Sequence, residues 1–104
     1  MSAVRVQLAA SRRLDEIYRY SRKQWGERQA ISYLEGLFST FEQIATGDVL
    51  SRPIPDDFGV QGFYCRYQKH YVYWKYLKNG DVGIVTVLHE RMHQMAQFRR
   101  GAGQ

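Results

Sequence analysis

Residues 70–92, HYVYWKYLKNGDVGIVTVLHERM, constrain the fold more than any other stretch of this chain. Two runs rich in Val, Ile, Tyr and Trp flank Asn79-Gly80, the dipeptide best suited to φ > 0 at both centres of a type I′ turn. A two-residue loop would fix the register, setting Lys78 opposite Asp81 and His70 opposite His89. Because side chains alternate faces along a strand, one face is then expected to pair Trp74 with Val85, Val72 with Val87 and His70 with His89. The other pairs Leu77 with Val82, Lys75 with Ile84, Tyr73 with Thr86 and Tyr71 with Leu88. Neither face is cleanly polar, so the hairpin calls for cover on both sides.

The rest of the chain supplies one obvious cover. Val4, Arg5, Val6, Gln7 and Leu8 alternate apolar and polar, as a short strand does. Ser11 is placed to cap a helix that Gly26 ends, with Leu14, Ile17, Tyr18, Ser21 and Trp25 at helical spacing. A second helix, about 27–45, carries Ile31, Leu34, Phe38, Phe41 and Ala45 on one stripe, widened by Leu37 and Ile44. So short a link makes an antiparallel helical hairpin over about 11–45, and Trp25 and Phe38 are expected to face the sheet. Pro53 and Pro55 bar a helix from residues 47–61. Residues 63–68 read as a strand, residues 93–98 as at best a short helix, and the chain from about 97, with Arg99 and Arg100, as a mobile basic tail. The expectation is a single α+β domain over 1–104. It has an N-terminal strand, an antiparallel helical hairpin, and a mainly antiparallel three-strand meander packed against the helices. The order of strands in the sheet stays open.

A chain of 104 residues has room for one core. Its 15 Lys+Arg against 10 Asp+Glu give a formal net charge of +5, which favours an acidic partner, whether nucleic acid or protein. The lone Cys65 cannot form an internal disulfide, the first residues lack the apolar run of a signal peptide, and no window reaches membrane-spanning length. A cytoplasmic protein is the expectation.

For catalysis the inventory is thin. His70, His89 and His93 are the only histidines. The first two are expected as cross-strand neighbours at the hairpin's open end, yet no third ligand stands at metal-binding spacing, so neither a metal nor a cofactor is expected. Cys65 has no identifiable base beside it. Metal-free RNA cleavage needs a base, an acid and cations near the phosphate. His70, Arg66, Lys75, His89, Arg91 and His93 permit that chemistry without specifying it, and a histidine pair that simply hydrogen-bonds at a strand end is the plainer reading.

The hairpin sequence, the segment Gln24-Trp25-Gly26-Glu27-Arg28-Gln29-Ala30, residues 41–45 (FEQIA) and above all Leu88-His89-Glu90-Arg91-Met92 together resemble the ParE branch of the RelE/ParE toxin superfamily. The resemblance runs from about residue 4 to 95 and agrees with the element order above. It implies the toxin of a type II toxin–antitoxin system, neutralised by a cognate antitoxin, ParD-like or other, in a hetero-oligomer, with no membrane partner. ParE members inhibit or poison DNA gyrase, whereas RelE members are ribosome-dependent endoribonucleases that cut messenger RNA. Tyr71, Tyr73 and Lys75 stand where RelE-like enzymes usually carry arginine, and no Tyr follows His89. The ParE reading is therefore preferred and no catalytic residue is carried over. Cations beside flexible apolar groups mark residues 89–100 as the expected target contact, through Arg91, Met92, His93, Arg99 and Arg100. Tyr71, Tyr73 and Leu88 are the expected antitoxin-binding surface, the alternative being that the loop 47–61 folds over that face and closes it.

Overall fold

The computed structural model describes the backbone of residues 3–102 and the side chains of residues 3–98. Strand β1 (Val4–Val6) leads into helices α1 (Leu8–Trp25) and α2 (Glu27–Thr46). Next come the two-residue strand β2 (Arg52–Pro53), a 3-10 turn at Asp56–Phe58, and strands β3 (Phe63–Tyr67), β4 (His70–Tyr76) and β5 (Val82–His89). Helix α3 (Gln94–Ala102) follows. The expected α+β order is present, with β2 and a longer last helix added. The sheet runs β1-β5-β4-β3-β2, β1 lying parallel to β5 and the other pairs antiparallel. Among the described residues no helix is long and apolar enough to cross a membrane.

Helix α1 begins before Ser11, so the expected Ser11 cap is replaced. The Gln7 N–H donates to Ile84 O (3.0 Å) and its carbonyl accepts from Ser11 N (2.9 Å), so β1 passes straight into the helix. Gly26 joins the two helices with φ +93°, a value that only glycine adopts easily. At the far end of α2, the αL Gly47 and Asp48 return their N–H groups to the last turn.

The hairpin differs from expectation twice, and the two differences cancel. Asn79 keeps a negative φ, so the loop is not type I′. Instead Gly80 N donates to Leu77 O and Leu77 N to Asp81 O, which closes a three-residue loop with Gly80 alone at positive φ. The Asn79 side chain accepts from Asp81 N and donates to the Asp81 carboxylate, which holds it out of the left-handed region. The register slips by one, giving Trp74 opposite Ile84. A bulge at Val85 then restores the expected pairs from Tyr73–Thr86 to His70–His89. Between turn and bulge the faces of β5 are exchanged. Val82 and Ile84 lie under the helices with Trp74, and Val85 faces away.

Ala10, Leu14, Ile17, Leu37, Phe41 and Ile44 from the helices close over Cys65, Val72, Trp74, Val82, Ile84 and Val87. The expectation for Trp25 and Phe38 fails, since they are 59% and 47% exposed. Helix α2 carries a broad apolar arc that runs from Tyr33 round to Ile31. The line that docks is Ala30, Leu37, Phe41 and Ile44, with the small Ala30 letting the helices close up; Ile31 and Phe38 are left outside.

The second face of the sheet is covered too. Ile54, Phe58 and Val60 from the 54–60 loop and Phe98 from α3 pack over Tyr73 and Leu88, with the Phe98 ring 4.8 Å from Tyr73. Gln94 anchors α3 by accepting from the Tyr73 hydroxyl (2.7 Å) and donating to His89 O and Met92 O. Where a tail was expected from about residue 97, the backbone is helical.

Candidate functional site

A groove of about 620 Å³ separates the C-terminal half of α1 from the open end of the β4–β5 pair. Ile17, Val87 and Met92 give it apolar surface, Tyr20, Trp25 and Tyr33 are its aromatics, and His70 and His89 stand at the strand ends. Arg13, Lys69 and Arg91 lie along it.

Tyr33 is placed from α2 by a tight fit. Gly36 presents no side chain where the Tyr67 ring presses in, and a Cβ there would sit 1.8 Å from the Tyr67 hydroxyl. That hydroxyl donates to Tyr33 O (3.2 Å), and the two rings meet edge to face at 5.0 Å. The Tyr33 hydroxyl then lies 2.6 Å from His70 Nδ1. Burial is the main cause that pushes the His70 pKa down to about 4; the neighbouring His89 adds to it and Glu90 opposes it. His70 is neutral at pH 7. Burial also raises the Tyr33 pKa, so its hydroxyl stays protonated beside the neutral imidazole. His89 stands edge to face with His70 at 5.1 Å, and its Nδ1 accepts from Arg91 N (3.1 Å). Both imidazoles are thus engaged at one nitrogen.

The other chemistries find no assembly here. Among the described residues no three His, Cys, Asp or Glu side chains gather as metal ligands. Cys65 is buried beneath α2, and burial pushes its thiol up to about 11, far from a reactive thiolate.

The expected target-binding residues divide. Arg91 is exposed at the groove, Met92 is half-buried between the groove and the second core, and His93 is exposed. His93 also caps α3, its Nδ1 accepting from Ala96 N (3.1 Å). The side chains of Arg99 and Arg100 lie outside the described residues. Of the expected antitoxin surface, Tyr73 and Leu88 are 2% and 1% exposed beneath the chain's own Ile54, Phe58 and Phe98. The covering loop corrects that expectation. Tyr71 stays half-buried against Tyr64, with the Arg66 guanidinium 5.7 Å from its ring centroid and paired on its other side with Glu90.

Sequence reasoning missed Tyr20, Trp25, Tyr33 and Lys69 as groove residues. A signal existed for the first alone. Tyr20 falls off the spacing of Leu14, Ile17 and Ser21, whereas Trp25 continues that spacing past the last buried turn and so carried no such mark. A larger cleft of about 920 Å³, between α2 and the edge of β3, carries a more polar lining that includes Ser39, Gln43, Arg52 and Arg66.

A family model described as the ParE toxin of the type II toxin–antitoxin system parDE matches residues 4–94. The chain is 32% identical over 100 residues to toxin ParE1 of Caulobacter vibrioides, covering 94% of this chain and 99% of that one. A solved structure described as the chromosomal ParDE TA system from P. aeruginosa superposes with a TM-score of 0.66 at 16% identity, over 86% of this chain and 96% of that one. At such identity the last similarity speaks for the fold.

Proposed function

The chain belongs to the ParE toxin family of type II toxin–antitoxin systems, and from that premise we propose that it inhibits or poisons DNA gyrase by binding it, until a cognate antitoxin neutralises it. The observation that carries this reading is the state of the β5 end. Arg91 and His93 are exposed beside the half-buried Met92, a cation and apolar pairing suited to gripping a surface. The imidazoles behind them are held rather than poised. His70 is uncharged and bonded to Tyr33, and His89 Nδ1 is occupied by Arg91 N. General acid–base cleavage of RNA asks for an acid and a base with pKa values near the working pH, and a histidine near 4 departs from that by more than two units.

Supercoiling of relaxed plasmid by gyrase tests the reading. Purified protein is expected to block supercoiling or trap cleaved DNA while messenger RNA on translating ribosomes stays intact. Arg91→Ala combined with His93→Asn, which keeps an acceptor at the helix cap, is expected to weaken the inhibition by about tenfold, ~1.4 kcal/mol. Ribosome-dependent cuts that vanish in His89→Ala, with gyrase untouched, would establish the endoribonuclease instead.

A further inference from the structure

The helical hairpin covers the sheet with one side and turns the other to solvent, and that outer side is not evenly polar. Ile31 and Phe38 of α2 are 45% and 47% exposed, two turns apart on one stripe with the half-buried Leu34 between them. Phe38 stands edge to face with Phe41 at 5.8 Å, but the core beneath is closed without Phe38 or Ile31. A groove of about 330 Å³ runs between the two helices here, lined by Leu34 and Phe38 from α2 and by Asp15, Tyr18 and Arg19 from α1. Apolar side chains set in such a groove are suited to packing against another helix face.

Charge on this outer side is divided between the helices. Opposite its buried line, α1 exposes Arg12, Arg19 and Arg22 at helical spacing; opposite its own, α2 exposes Glu35 and Glu42. Among the described residues none of these five makes an ion pair. A partner of one uniform charge, nucleic acid included, would be attracted by one row and repelled by the other. A second copy of this chain satisfies both. With two hairpins face to face about a two-fold axis parallel to the helices, α1 of each lies over α2 of the other. Arginines then meet glutamates on both flanks, and the stripe of Ile31, Leu34 and Phe38 meets its own counterpart near the axis. A two-fold axis across the helices would instead set α1 on α1 and α2 on α2, opposing like charges. The charge pattern thus selects one arrangement of the two.

We propose that the outer side of the α1–α2 hairpin is the interface of a symmetric homodimer, with α1 of each chain laid over α2 of the other. Its size sets its strength. Helices of 18 and 20 residues are about 27–30 Å long, at a rise of about 1.5 Å per residue. Set about 10 Å apart, they offer a face of roughly 500 Å² per copy, ~1,000 Å² in all, the lower bound of specific interfaces. The dimer is therefore reversible, and it forms at micromolar concentration. The interface lies on the side of the helices away from the sheet, so the β5 end with Arg91 and His93 is present twice in each dimer. The dimer stands or falls apart from the identity of the toxin's target.

Sedimentation equilibrium of the purified chain tests this. Its mass is expected to rise from monomer to dimer between about 1 and 300 µM, with a Kd on the order of 10 µM for so small an interface. Ile31→Ser combined with Phe38→Ser is expected to weaken the dimer roughly 30-fold or more, by removing the apolar centre of the contact. Charge reversal gives a readout that a folding defect cannot imitate. Arg12→Glu with Arg19→Glu in one chain, and Glu35→Arg with Glu42→Arg in another, should each leave that chain monomeric. An equal mixture of the two should dimerise within about threefold of the natural affinity, because every reversed row then faces its opposite. A natural chain still monomeric at the highest concentration would overturn the second copy as occupant and leave the stripe to a different partner. A mixture no more associated than either reversed chain alone would overturn the arrangement, as would a dimer that all these substitutions leave intact.

Discussion

The two faces of the sheet are closed in different ways. Over one lie two long helices, whose Leu14, Ile17, Leu37, Phe41 and Ile44 interlock with Val72, Trp74, Ile84 and Val87. Over the other lie a proline-bearing loop and one short helix, which hold on through Ile54, Phe58, Phe98 and the Gln94 hydrogen bonds. The first cover joins several elements distant in sequence and is the foundation of the fold. The second is a smaller cover of mostly separate pieces, and it ends beside Arg91 and His93, the contact proposed for gyrase. The firmer cover and the lighter one thus lie on opposite sides of one sheet, an uneven distribution of stability that is usual in proteins.

Truncation at the centre of each cover measures how unequal they are. Phe41→Ala, at 1% exposure under the helices, should lower the unfolding free energy by about 3–5 kcal/mol in urea titration. Phe98→Ala on the second face should cost about 2 kcal/mol, because a helix near the chain end can settle into the vacated space. It should also alter the near-ultraviolet signal of Tyr73 while the far-ultraviolet spectrum stays almost unchanged. Equal losses from the two variants would erase the distinction.

Acid provides the smallest effect, and it acts on the helix-covered side. His70 is neutral when folded, with a pKa near 4 against about 6.5 when unfolded. Between those values the unfolded chain binds a proton that the folded chain refuses. His70's contribution is therefore fully present above pH 6.5 and is lost as pH falls toward 4. Since the ring is partly exposed, the discounted size is on the order of 1–2 kcal/mol. His70→Asn should flatten the stability profile in that window; a slope unchanged by the substitution would place its origin elsewhere.

The same contrast explains what the sequence disclosed. The helical hairpin and the β4–β5 pair have strong periodicities, and the element order follows from them; the His70–His89 pairing, expected from a two-residue loop, holds because the bulge at Val85 offsets the three-residue one. Finer detail was hidden where two solutions have similar local merit. Asn79-Gly80 suits both a two-residue and a three-residue loop, and the Asp81 contacts to Ala3 and Arg5 help to hold the observed one. Helix α2 offers two apolar stripes, and only the sheet beneath it selects Ala30, Leu37, Phe41 and Ile44. Residues 47–61 have no periodicity, so their folding over Tyr73 and Leu88 left no regular mark. The groove was hidden for a related reason. Tyr33 and Lys69 come from different elements, and their meeting depends on the Gly36–Tyr67 fit, a contact between residues 31 positions apart.

Native-state hydrogen exchange followed residue by residue tests the account most directly. Amides of α1, α2, β4 and β5 should exchange only through global unfolding. Those of α3 and the 54–60 loop should open at a free energy lower by about 2 kcal/mol or more, with little dependence on denaturant. Amides of α3 that exchange as slowly as those of β4 and β5, with the same denaturant dependence, would contradict it: the sheet would then have one indivisible core rather than a foundation and a separable second cover.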